Sequence, residues 1–237
     1  MKDQVENSKC ANDTVEILEL LSESRLRRFV CSEIPDWNEA VSAYFQNLRV
    51  QNHLYPHFHC FEIILRNRMH SVIGVICKDL NWVSKLKYDF DILVPENLLQ
   101  KQDCRTNLRK TIANAHEKVE QEIRNRHILE GDLVARLDFG FWTTFLNKPY
   151  STLLHDKGLF KNVFSQFCFA TPNLVSKKEM QEIRELIHKI RSERNRMFHH
   201  EPVKDWQQTI LDINKAMNWV SKIAAFKFNS FFGEFSK

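Results

Sequence analysis

A chain of 237 residues is long enough to bury a full core, and 43% hydrophobic with 27% charged residues is a globular composition that argues against a disordered chain. Five glycines and six prolines are too few turn-formers for a many-stranded β fold, so the composition points to long helices. A net charge of +4 and a pI near 8.7 permit a nucleic-acid partner without demanding one.

Six cysteines (Cys10, Cys31, Cys60, Cys77, Cys104 and Cys168) stand apart with no C-x-x-C pair, which reads as reduced thiols in a cytoplasmic protein. The N-terminus, Met1-Lys2-Asp3-Gln4, is polar and lacks the apolar core of a signal peptide. No apolar run approaches the roughly 18 residues of a membrane span.

In chain order, Thr14 caps a helix carrying Ile17, Leu18 and Leu21, then Phe29 and Val30, ending before Pro35. Asp36-Trp37-Asn38-Glu39 repeats the capping logic for a second amphipathic helix with Val41, Tyr44, Phe45 and Leu48. Pro56 is expected near the start of a third helix, where its missing N–H does no harm. That helix carries Phe58, Phe61, Leu65, Val72 and Ile76. Glu62, Arg66 and His70, four apart, share another face. Arg66, Asn67 and His70 make a first Arg-Asn…His set, read either as helix packing with a Glu62–Arg66 pair or as groups lining an RNA path. His53, His57, His59 and Cys60 invite a zinc reading, which fails for want of a second ligand pair, so no metal or cofactor is expected.

Asn81 to Gln100 is the least helical stretch, a crossover with a short extended piece at Phe90-Asp91-Ile92-Leu93-Val94. Leu108, Ile112, Ala115, Val119 and Ile123 then predict a long helix, ended by Glu130-Gly131, with Asp132 capping the next. Phe139-Gly140-Phe141-Trp142 reads as a core aromatic cluster in which Gly140 allows close helix approach. A loop at Pro149–Gly158 precedes a short helix with Phe160, Val163, Phe164 and Phe167.

The next helix is the most sharply marked. Ser176-Lys177-Lys178-Glu179 is a capping box, Met180, Ile183, Ile187 and Ile190 form the apolar stripe, and Pro202 marks the stop. Continuing the stripe reaches Arg194 and Met197; an arginine in line with a core-facing stripe is unusual. Asn195 and His199 share a face, whereas Arg194 lies about 140° around the helix from His199. Two such helices across a two-fold axis can aim Arg and His at one phosphate, which predicts a homodimer. Histidine supplies acid and base near neutral pH, and arginine holds a phosphate as charge builds. Arg184, Arg191 and Arg196 sit beside the same stretch and suit RNA backbone contact. A last helix follows with Trp206, Ile210, Ile213, Met217 and Val220, then an aromatic end from Phe226 to Phe232.

Arg194-Asn195-Arg196-Met197-Phe198-His199 resembles the R-N-x-x-x-H signature of HEPN ribonucleases, and His200-Glu201-Pro202 resembles the version in bacterial Abi-like (abortive infection, D/F-type) proteins. Phe61 to His70 and Leu137 to Trp142 resemble segments of that family in the same order. The resemblance implies an all-α, HEPN-like helical bundle with additional N-terminal helices, one domain over 1–237. Residues 1–103 would be the N-terminal helices and crossover, and 104–237 the HEPN-like core. It implies a homodimer cleaving RNA without metal in phage defence, with a small structured RNA as a further partner. Arg194, Asn195 and His199 then take the catalytic positions, and Arg191, Arg196, His200, Arg66, Asn67 and His70 contact RNA. Two other readings stay open: a non-catalytic small-RNA-binding module, and a helical protein-interaction or antitoxin module.

Overall fold

The computed structural model describes residues 16–30, 32–88, 102–123, 127–147, 150, 157–171, 174–203 and 205–233. Every regular element among them is helical, and the fold is all-α as the composition requires. Strand-like pairing among the described residues is an isolated bridge between Thr171 and Leu174. The main helices are Trp37–Cys77, Gln102–Glu122, Lys177–Phe198, Trp206–Val220 and Lys222–Gly233, with shorter ones at Glu23–Leu26, Trp82–Leu86, Glu130–Arg136, Phe139–Thr144 and Leu159–Val163. Thr14, the piece Phe90 to Val94, and most of Pro149 to Gly158 lie outside the described residues.

Four boundaries differ from expectation, each for a physical reason. The helix after residue 16 breaks at Ser22, whose φ of 66° is left-handed, and does not run on toward Pro35. The two helices expected to meet at Pro56 are a single 41-residue helix, Trp37–Cys77, with the proline in its interior. Proline removes the N–H that would bond the Asn52 carbonyl, a defect of about 3 kcal/mol. Burial offsets it, because Leu54, Phe58 and Phe61 on either side are at most 2% exposed. Trp82–Leu86 is helical although its residues read as irregular, and Glu130-Gly131 open a helix where an end was expected. Asp132 is the third residue of that helix, and its carboxylate accepts the Leu129 N–H at 2.9 Å. The cap at Asp36 does form: its Oδ1 accepts from the N–H groups of Asn38 and Glu39 at 2.9 and 3.3 Å.

The described residues group into two compact units. One draws on Met1–Phe58 and Ser192–Ile210, the other on His59–Arg191 and Leu211–Lys237. In the first, Leu26, Ala40 and Tyr44 are buried beneath Leu18, Leu21, Phe29, Trp37, Val41 and Leu48, with Phe29 edge-on to Tyr44 at 5.5 Å.

His57 is buried in this unit, and desolvation, then the charge of His53, pushes its pKa down from 6.5 to about 4. Between those values the unfolded chain binds the proton and the folded one does not, so stability rises with pH across that window. The full shift corresponds to about 3 kcal/mol at most. Urea titrations from pH 4 to 7 are expected to show this rise in the wild type and a flatter profile in His57→Gln.

The second unit has a core of large rings. Trp82 and Trp142, both fully buried, meet edge-to-face at 6.0 Å, and Phe61 meets Phe139 in the same way. Ile183, Ile187 and Ile190 bury the apolar stripe of Lys177–Phe198, with at most 1% exposure. Glu130 is the polar hub of this unit. Its carboxylate accepts from His70 Nε2 at 3.1 Å, from the N–H groups of Val83 and Ser84 at 2.8 and 3.0 Å, and from the Ser84 hydroxyl. Asn81 provides no side-chain cap for the Trp82–Leu86 helix; Glu130, distant in sequence, satisfies its first N–H groups instead.

Candidate functional site

The capping box at the head of the motif helix, Lys177–Phe198, forms in both directions. Ser176 Oγ accepts the Glu179 N–H at 3.2 Å, and Glu179 accepts the Ser176 N–H at 2.7 Å. Glu179 also accepts the Ala170 N–H at 2.6 Å. The hydrogen bonds from Ala170 and Ser176 hold its carboxyl below the usual range.

Within the second unit, the predicted RNA contacts have protein partners. Arg191 donates to Thr143 Oγ1 at 3.2 Å, and a Cβ added at Gly140 would stand 2.9 Å from the Arg191 guanidinium. The space beside Gly140, read from the sequence as room for a helix to approach, is taken by the end of an arginine side chain. Arg184 donates to the Leu146 carbonyl at 2.7 Å. Arg66 donates to Asn67 Oδ1 and, at 3.5 Å, to the Ala135 carbonyl. His70 stacks on Trp82 at 5.7 Å and 25°, besides bonding Glu130. The first Arg-Asn…His set thus braces the Glu130–Arg136 helix against its neighbours.

Arg194, Asn195, Arg196, His199 and His200 come together in the first unit, at the C-terminal end of the motif helix. Met197 continues the buried stripe at 4% exposure, and Arg194 is half-buried. Its guanidinium lies 4.2 Å from the centre of the Phe198 ring and donates to Asn195 Oδ1 at 3.5 Å. Phe198 is 45% exposed and its ring meets Tyr55 at 6.3 Å. His199 and Arg196 are exposed.

The helix end itself is a Schellman cap. The Glu201 N–H reaches back to the Arg196 carbonyl at 2.9 Å and the His200 N–H to the Met197 carbonyl at 3.1 Å. His200 holds the left-handed position, with φ 56°, where glycine is usual. The residue before Pro202 is disfavoured from helical backbone, so the turn must close by His200. His200→Gly is therefore expected to raise unfolding free energy by about 0.5–1 kcal/mol, read by urea denaturation. A loss of stability would instead mean that the His200 ring makes contacts the glycine gives up.

Two residues that the sequence reading missed fix this turn in place. Asn47 and Gln51, both nearly buried, donate to the Glu201 carbonyl at 3.4 and 3.5 Å. Asn47 Oδ1 also accepts the Val203 N–H at 3.1 Å. Arg28 adds an exposed ion pair to the Glu201 carboxylate at 3.2 Å. The available signal was two amides, four apart, on an otherwise apolar helix face.

Fold and site together define an all-α protein that presents a histidine, an arginine and a stacked aromatic ring at one anchored helix end. No protein-family model, curated protein or solved structure matches the chain. Among the described residues no helix is long and apolar enough to cross a membrane.

Proposed function

We propose that the chain is a metal-independent endoribonuclease of the abortive-infection HEPN type, acting as a homodimer on RNA, with a small structured RNA as a further partner. The observation that carries this reading is His199: an exposed imidazole on a backbone anchored by a Schellman cap and by Asn47 and Gln51. Each copy contributes one His199, while cleavage needs a base and an acid. Two copies supply both. One His199 takes the 2′-OH proton as the 2′-oxygen attacks phosphorus, and the other protonates the departing 5′-oxygen. The products are a 2′,3′-cyclic phosphate and a 5′-OH. Arg194 supplies the charge that steadies the phosphorane oxygens, and Asn195, bonded to Arg194, orients it.

The test is RNA incubated in excess chelator with wild type and Arg194→Ala, product ends being mapped and mass measured by sedimentation. Expected are a dimer, cyclic-phosphate ends and a strong loss in the variant. Equal cutting by a folded Arg194→Ala overturns the reading.

Phe198 and Tyr55, exposed beside Arg194, favour a second reading. An aromatic surface next to a guanidinium suits base stacking in a module that holds RNA without cutting it. Binding would then fall steeply with salt and survive His199→Ala.

A further inference from the structure

Beside the first Arg-Asn…His set, Asn67 and Arg68 line an open cavity of about 500 Å³ at the surface of the second unit, bounded by the start of the Lys222–Gly233 helix. Its lining carries two cations, Arg68 and Lys222, and no carboxylate. Arg68 is oriented rather than neutralised, since its partners are uncharged: the Asn162 carbonyl at 2.9 Å and Ser165 Oγ at 3.5 Å. Lys222 is exposed and has no acidic partner among the described residues.

The backbone adds to this charge. Ser221 caps the twelve-residue helix, its Oγ accepting the Ala224 N–H at 3.2 Å. Its own N–H reaches the Met217 carbonyl at 2.8 Å. The N–H groups of Lys222 and Ile223, both at the cavity wall, are left with no acceptor among the described residues. Ser71 and Gln166 contribute further polar side chains, and Ile64 and Val220 an apolar wall. Two uncompensated cations, two open backbone donors and neutral hydrogen-bonding groups around one cavity suit an anion rich in acceptor oxygens. The volume exceeds a lone anion and accommodates a small apolar or planar group beside it.

We propose that this cavity binds the phosphate group of a nucleotide, held by Arg68, Lys222 and the helix start, with the attached nucleoside against Ile64 and Val220. It uses neither Arg194 nor His199, so it stands or falls separately from the cleavage chemistry.

Calorimetric titration of the full chain with inorganic phosphate, a nucleoside monophosphate and a short single-stranded RNA tests it, in the wild type and in His199→Ala. The monophosphate is expected to bind at low salt, more tightly than inorganic phosphate and equally in both proteins. Lys222→Gln, an exposed change, is expected to weaken binding about tenfold, the loss of one charge-assisted bond. Arg68→Ala is expected to weaken it at least as much. RNA binding that falls in parallel in Lys222→Gln would identify a chain phosphate as the natural occupant; RNA binding unaffected by it would identify a free nucleotide. No binding by any probe, or equal binding by wild type and Lys222→Gln, overturns the proposal.

Discussion

Replacing Glu130 with alanine is expected to cost about 3–5 kcal/mol of folding stability, the range for stripping one member from a buried charged network. The side chain is 10% exposed, and its two oxygens receive His70, the N–H groups of Val83 and Ser84, and the Ser84 hydroxyl. Removing it leaves four donors to find water they cannot readily reach. Urea unfolding followed by tryptophan fluorescence reads the loss directly. Glu130→Gln keeps the shape but gives up the charge and one acceptor oxygen, so it should fall between alanine and wild type. Burial favours protonation of this carboxyl, but the bonds from His70, Ser84 and the two backbone donors outweigh it and hold the pKa below 4.5. The stability it contributes is therefore present above its unfolded pKa and disappears as pH falls through the folded value. The Gln variant should lose less stability than wild type on acidification below about pH 4.5. A Glu130→Ala loss under 1 kcal/mol would mean that the hub is solvated.

Under the proposed ribonuclease chemistry, replacing His199 with alanine is expected to slow RNA cleavage by a hundredfold or more, the usual share of a positioned acid or base. Stability should stay within about 0.5 kcal/mol, since the side chain is exposed. The sharper measurement mixes wild type and His199→Ala under conditions that let subunits exchange. If each scissile bond draws its base and its acid from different subunits, a mixed pair is inactive. An equimolar mixture then retains about a quarter of the activity, the share of wild-type pairs under random association. Retention of half would mean that each chain cuts alone, and the two-histidine chemistry would have to be abandoned.

The helix carrying these groups shows how far sequence reaches. Ser176, Glu179 and the isoleucine stripe are local code: each acts on residues three or four positions away, and each behaves as written. At Gly140 the sequence offered room for a helix, and it is the Arg191 side chain that fills the place. The misreadings cluster where a strong local signal met a stronger distant one. Pro56 reads as a helix start because proline is tolerated there, yet buried neighbours on both sides keep the helix unbroken through it. Trp82 to Leu86 reads as irregular because its own residues offer no cap; the cap is Glu130, 46 positions from Ser84.

By itself, then, the sequence determined the helical class, the start of the motif helix and the alignment of Arg194 with a buried stripe, because these follow from turns of three to four residues. Only the tertiary structure decided that His70 is drawn to Glu130, that His200 closes a left-handed turn, and that Asn47 anchors that turn from 156 positions away. Hydrogen-bonding groups are satisfied by whatever the fold brings within about 3 Å, and sequence separation carries no information about that distance.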